Sequence, residues 1–205
     1  MKNKSTKNID TNILTLKFFS AMLQNCEHFV FFGTMLGLVR EGHPIENDDD
    51  VDFYVNKRDR PKVLNILKNL KIKIDFSKNP NNTDYFNQVE FLQNGKKLRA
   101  DFYFYDSELD DNYILEKWNF EAQPNKIEKI LKIPKVFIYP IMAHDFLNMK
   151  VLMPNQPEVL CEFLYGSKWR EPLKKHTEYT IQVMGGKPFL FIKVGIDGRQ
   201  LQILP

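Results

Sequence analysis

The sequence has little cysteine: Cys26 and Cys161 are the only two among 205 residues. One possible pair is no disulfide framework, and neither has metal-ligand spacing. Both sit in apolar helical contexts, which reads as two reduced core thiols in a cytosolic protein. An excess of one charge is also missing. Lys and Arg number 29 against 26 Asp and Glu, a net +3, which gives no case for the concentrated basic face of a nucleic-acid binder. This charge is compatible with anionic donors and with loose attraction to an anionic membrane surface. Long apolar runs are absent. The longest, around Phe29 to Val39, is too short and too glycine-rich to span a bilayer. Met1 to Asp10 is polar and basic with no apolar run behind it, unlike a signal peptide. Without repeats, low-complexity segments or a dividing linker, residues 1–205 are read as a single domain with length enough for a sizeable core.

What is present is aromatic. Seventeen Phe and eight Tyr suggest sheet as well as helix. Asp10 or Thr11 can cap a helix near 11–26, with Ile13, Leu16, Phe19 (or Ser20) and Leu23 at helical spacing. A strand over His28–Phe32, a turn at Gly33-Thr34 and a short helix to Arg40 follow. A loop over Glu41–Asn47 leads to an acidic strand at about 49–55. Asp59 and Pro61 start a helix with Val63, Leu64, Leu67 and Leu70 as its stripe, and Ile72–Phe76 alternates like a strand. Asn79–Thr83 is a turn-rich loop. Asn94-Gly95 between two alternating runs, Phe86–Leu92 and Lys97–Tyr105, predicts a type I′ hairpin. That turn sets Glu90 opposite Arg99 and Gln88 opposite Asp101, with Val89, Phe91, Leu98, Ala100, Phe102 and Phe104 on the apolar face. Residues 106–133 read as loop plus poor helix anchored by Trp118 and Phe120. Pro134–Pro140 and Met149–Met153 read as strands. Asn155 caps a helix carrying Pro157, Val159, Leu160, Phe163 and Leu164, which Gly166 ends. Phe189–Val194 and Gln200–Leu204 flank Asp197-Gly198 as a terminal hairpin.

The chemistry concentrates in the acidic stretch. Asp48, Asp49, Asp50 and Asp52 occupy four of five positions. On a strand, Asp50 and Asp52 share one face, with Val51, Phe53 and Val55 on the other. Such carboxylates repel unless something positive lies between them, and hard divalent cations prefer oxygen ligands. Upstream, Gly33 lets a backbone or a phosphate come close at a helix start.

This strand, Gly-Thr turn, short helix and Asp-x-Asp strand resemble the nucleotidyltransferase superfamily. In detail they resemble the LicD family, phosphocholine transferases of bacterial surface glycans to which the fukutin proteins are related. The matching residues are Gly33-Thr34-Met35-Leu36-Gly37-Leu38-Val39-Arg40 and Asp48-Asp49-Asp50-Val51-Asp52, with Tyr165-Gly166, Trp169 and Pro172 downstream. The resemblance implies an α+β fold: a nucleotidyltransferase-like mixed β-sheet core flanked by helices, with a C-terminal helix and hairpin. It implies Mg²⁺ (or Mn²⁺) held by Asp50 and Asp52, with Asp101 as a third carboxylate from the neighbouring strand and Asp48 as a further ligand. Asp50, Asp52 and Asp101 are then the catalytic residues. Gly33, Thr34 and Arg40 would hold phosphate, and Tyr165 and Trp169 would line a substrate pocket.

Each has a plainer alternative. Asp101 can pair with Arg99 or a lysine, Arg40 with the aspartates, and Tyr165 and Trp169 can simply pack. One of Asp48 and Asp49 is open to solvation, and His43 in the loop is incidental unless it touches substrate. The activity the resemblance implies is metal-dependent transfer of a phosphocholine-like or polyol-phosphate group from a CDP-linked donor to a glycan or lipid-linked glycan acceptor. Its location would be cytoplasmic, with at most peripheral contact with the inner membrane face. The alternatives are adenylation of a small molecule, as in antibiotic-modifying enzymes of the superfold, and a non-catalytic nucleotide- or glycan-binding protein.

Overall fold

The computed structural model of the chain describes residues 4–75, 84–117, 127–172, 189–194 and 200–204. Its first sheet has the order β1-β2-β4-β3, from β1 (His28–Val30), β2 (Asp52–Asn56), β3 (Phe86–Gln93) and β4 (Lys96–Tyr105). β1 and β2 are antiparallel, β2 and β4 parallel, and β3 and β4 antiparallel.

The β3–β4 hairpin follows from its turn. Asn94 and Gly95 take φ values of 49° and 73°, the double positive φ of a type I′ turn. Glu90 then faces Arg99 and Gln88 faces Asp101, the register expected from the sequence. The apolar face packs on helix α1 (Lys4–Met22). Leu16 and Phe19 of the helix and Leu23 just after it are buried, and the Phe19 ring lies 5.1 Å from Phe102 and 5.9 Å from Phe53. Each such side chain contributes about 1.5–3 kcal/mol by leaving water. The helix begins seven residues before the expected Thr11, so neither Asp10 nor Thr11 caps it. The Thr15 hydroxyl instead donates to the Thr11 carbonyl within the helix.

β2 differs from expectation. It begins at Asp52, so Asp50 precedes the strand instead of sharing a strand face with Asp52. Every residue of β2 is buried, because it is flanked by strands on both sides and covered on both faces. Ladder pairing still reaches Val51, whose N–H donates to the Arg99 carbonyl at 3.2 Å and whose carbonyl accepts from Asp101 N–H at 2.9 Å. The three aspartates before it stay outside the ladder, with Asp49 exposed and Asp48 and Asp50 half-buried.

β1 passes through Phe31 into α2 (Phe32–Arg40), which starts one residue before Gly33, so Gly33-Thr34 forms its first turn. After β2, a 3-10 turn over Lys57–Asp59 leads into α3 (Arg60–Asn69), where Val63 and Leu67 are buried and Leu70 is 40% exposed. Among the described residues of the expected Ile72–Phe76 strand, Ile74 makes a single bridge to Val89 and Asp75 N–H donates to the Gln88 carbonyl at 2.8 Å. Phe76 and the Asn79–Thr83 loop lie outside the described residues.

The region from 106 to 133 corrects the loop-and-helix reading. β5 (Tyr113–Lys117) and β6 (Ile127–Pro134) join β9 (Phe189–Val194) and β10 (Gln200–Leu204) in a second sheet, order β10-β9-β6-β5. Alternation in Ile114 and Glu116, both fully buried, is the strand signal that the acidic flanks masked. Trp118, Phe120 and the Asp197-Gly198 turn lie outside the described residues. The terminal pair is the expected hairpin, and β9 ties it to β6.

Pro134–Pro140 is not a strand. Lys135–Ile138 forms one helical turn, α4, which buries Ile138 and sets Phe137 5.7 Å from Phe163. Tertiary packing overrides the strand propensity of its Val-Phe-Ile run. β7 (Met142–Phe146), not anticipated, pairs with β8 (Met149–Met153). α5 (Pro157–Tyr165) follows, with Gln156 rather than Asn155 at its N-cap and Gly166 at φ 82° ending it. Cys26 and Cys161 are free and buried. Among the described residues, no helix is long and apolar enough to cross a membrane.

Candidate active site

The site lies where the N-terminus of α2 meets the leading end of β2 and the middle of β4. Asp52 and Asp101 are register partners on adjacent parallel strands, and both are buried. The preceding loop adds Asp48, Asp49 and Asp50, whose ligand oxygens lie within 4.8 Å of one another.

Gly33 makes this convergence possible. A Cβ on Gly33 would lie 2.8 Å from Asp48 Oδ2 and 3.4 Å from Asp52 Oδ2. Two carboxylates approach this glycine closely in the structure. Thr34 N–H donates to Asp52 Oδ2 at 3.3 Å, so the positive helix end faces the acid cluster. Gly37 serves packing: a Cβ there would meet the His43 carbonyl and the Ile45 N, each at 2.8 Å. Phe32 enters the helix with φ 38°, a strained value for an aromatic residue. Its ring is held 4.3 Å from Phe31 and 4.9 Å from Tyr103.

Electrostatics mark the cluster as short of positive charge. Burial, then Asp50 and Asp49, raise the Asp48 pKa to about 8. Burial, then Asp50, raise Asp101 to about 8, opposed by its hydrogen bond from Gln88 Nε2 at 2.7 Å. Asp52 is raised well above the carboxylate range by burial and by Asp50, Asp48 and Asp101. A hard divalent cation fits such a donor set: it takes carboxylate oxygens and reverses the repulsion.

Asp49 stands apart because the Arg99 guanidinium pairs with it while also bonding Glu90 at 3.0 Å. The Arg99 partner is therefore Asp49, not Asp101. The sequence reading missed this pair, along with Asn12, whose Nδ2 donates to the Asp48 carbonyl at 3.0 Å. The Gln88–Asp101 bond was implicit in the hairpin register.

Arg40, Tyr165 and Trp169 form a second group. Arg40 pairs with Glu41 at 2.5 Å and donates to the Trp169 carbonyl at 3.4 Å; its side chain is 6% exposed. Roughly 9 Å of helix rise separates it from Thr34. Tyr165 and Trp169 are buried, and Arg170 stacks 4.1 Å over the Trp169 ring. His43 Nδ1 lies 2.8 Å from the Pro44 carbonyl.

Residues 25–156 match the LicD/FKTN/FKRP nucleotidyltransferase domain. The chain belongs to the LicD family. Comparison with curated proteins finds no match. Among solved structures, this LicD-family chain is similar to the lincomycin-bound lincosamide antibiotic adenylyltransferase LnuA. Identity is 13%, coverage is 83% of this chain and 93% of that one, and the TM-score is 0.53. Two structures of the antibiotic-resistance factor ANT(2'')-Ia are also similar. The solution structure has 14% identity, coverage of 86% and 82%, and TM-score 0.47. The complex with adenylyl-2''-tobramycin has 12% identity, coverage of 85% and 86%, and TM-score 0.45. The LicD-family chain thus has the α+β nucleotidyltransferase fold, with a mixed sheet and flanking helices. Family membership makes it a transferase of phosphate or nucleotide groups.

Proposed function

We propose that this LicD-family chain transfers a phosphocholine-like or polyol-phosphate group from a CDP-linked donor to a glycan hydroxyl. The observation that carries this reading is the convergence of Asp48, Asp50, Asp52 and Asp101 at the start of α2. A Mg²⁺ or Mn²⁺ ion would be held by these four carboxylates and, when bound, supplies charge neutralisation for a pyrophosphate.

The chain's own residues do the rest. The acceptor hydroxyl attacks the phosphorus bearing the head group, the bond from that phosphorus to the cytidylate oxygen breaks, and CMP leaves. The acceptor proton passes to Asp101, which Gln88 orients. Thr34 fixes Asp52. Arg40 supports the α2–α5 wall through Glu41 and the Trp169 carbonyl. We assign the reaction to the cytoplasmic side, consistent with two unpaired buried thiols.

The test is product analysis with CDP-choline, CDP-ribitol and ATP, each offered with Mg²⁺ and glycan acceptors. Release of CMP with labelled glycan supports the reading. Consumption of ATP with pyrophosphate release, and no use of CDP-alcohols, overturns it.

A further inference from the structure

The buried stripe of α1 is not uniformly apolar. Asn12, Thr15, Leu16 and Phe19 are each 1% exposed or less, and their spacing puts them on one helix face. The Thr15 hydroxyl is bonded inside the helix, to the Thr11 carbonyl at 2.9 Å. Asn12 instead reaches a residue 36 positions away: its Nδ2 donates to the Asp48 carbonyl at 3.0 Å. That bond fixes the amide orientation, and among the described residues its Oδ1 has no partner. A core amide left half satisfied costs free energy, whereas leucine would fill the same position without that cost. Stability alone therefore does not account for an asparagine here, and what it touches does.

Asp48 is the first of the four clustered aspartates, and its backbone is held at both ends. Its N–H donates to the Ile45 carbonyl at 3.2 Å, and its own carbonyl is taken by Asn12. Two positions on, Arg99 holds the loop twice: its guanidinium pairs with Asp49, and its carbonyl accepts from Val51 N–H at 3.2 Å. Asp50 thus lies between anchored neighbours. After burial, Asp50 is the largest influence on the pKa of Asp48, of Asp52 and of Asp101 alike, so it sits closest to the middle of the cluster's charge. Like charges push this segment outward, and the anchors on either side resist that push. The Asp49 carboxylate is 64% exposed, so its pair with Arg99 is screened by water. The Asn12 bond lies in the core, where a hydrogen bond is stronger.

We propose that Asn12 is a positioning residue for the carboxylate cluster: by holding the Asp48 carbonyl it keeps the acidic loop seated, with Asp48 and Asp50 beside Asp52 and Asp101. It acts through Asp48 and touches no reacting group. The proposal rests on the carboxylate reading of the site. It adds that α1, which lies outside the family-matching residues 25–156, completes that site.

The test uses the full chain and needs neither donor nor turnover. Asn12→Leu removes the donor at nearly constant shape and charge, and Asn12→Ala does so with no risk of a clash. Thr15→Val is the control, since it alters the same buried helix face without touching the loop. Calorimetric titration with Mg²⁺ is expected to show affinity down by about tenfold or more in both Asn12 variants, with Thr15→Val at the wild-type value. In chelator, hydrogen exchange at the Asp48 and Val51 N–H groups is expected to quicken in the Asn12 variants while Tyr54 in β2 keeps its protection. Wild-type Mg²⁺ affinity in the folded Asn12 variants overturns the proposal, and so does an equal loss in Thr15→Val, which would mark a general effect of loosening α1. If the wild type itself takes up no Mg²⁺, the carboxylate reading falls and this proposal falls with it.

Discussion

Thr34 and Asp52 hold each other by two hydrogen bonds running in opposite directions. Asp52 N–H donates to Thr34 Oγ1 at 2.8 Å, and Thr34 N–H donates to Asp52 Oδ2 at 3.3 Å. One clamp thus joins the first turn of α2 to the first residue of β2, and aims a carboxylate with no freedom to turn away. Thr34→Val keeps the shape but leaves a buried N–H unpaired. The expected cost is about 1–3 kcal/mol in urea unfolding, with turnover down by about 10–100-fold as for other residues that orient metal ligands. Thr34→Ser should recover most of both. A valine variant with full activity would show that the clamp does not position Asp52.

Gly33→Ala should separate site from stability. Its Cβ would press on Asp48 Oδ2 at 2.8 Å, so Mg²⁺ affinity measured by calorimetry should fall. Alanine favours helix over glycine by about 1 kcal/mol, so the melting temperature should hold or rise. Unchanged Mg²⁺ affinity would remove the steric account of this glycine.

In chelator, the protein should lose stability as pH rises from about 6.5 to 8. Asp48 and Asp101 have pKa values raised to about 8, so between the unfolded value near 4 and the folded one the native state holds more protons. Stability is full below the unfolded pKa and is lost through the folded one. The lowered pKa of His28 acts in the opposite sense, but that effect is complete above about 6.5. Mg²⁺ at pH 8 should restore the melting temperature. A flat profile in chelator would mean that the cluster is not strained.

Asp101→Asn should abolish turnover while leaving the melting temperature at or above wild type, because it relieves repulsion with Asp50 and still accepts from Gln88. Insertion of one residue after Gly95 should harm both, since a slip sends Asp101 into the apolar layer. Substantial activity in Asp101→Asn under saturating Mg²⁺ would move the base elsewhere.

Legibility followed sequence distance. The Asn94-Gly95 turn carries its own φ requirement, so the register Gln88 to Asp101 could be read locally. The acidic run announced itself by charge. Arg99 with Asp49 and Asn12 with Asp48 could not be read, because only the closed sheet brings them together. α4 escaped because its Val-Phe-Ile run is strand-like and its helical turn is imposed by packing against α5. β5 was hidden by acidic neighbours whose own hydrogen bonds, such as Asp110 to the N–H groups of Asn112 and Tyr113, belong to the turn before it.

The parallel pairing of β2 with β4 has a consequence for assembly. Asp52 and Asp101 become neighbours only after α3, β3 and the Asn94-Gly95 turn have been laid down between them. Parallel pairing needs such a crossover, and the entropy of closing it must be met before the contact returns anything. The two strands also bring like charges together, so closure is opposed by the residues that define the site. Folding in Mg²⁺ should therefore be faster than in chelator if the cation is already seated at the transition state, whereas a cation that arrives later would slow only unfolding. The acid pair makes that rate comparison a reporter of when, along the folding route, the two strands first meet.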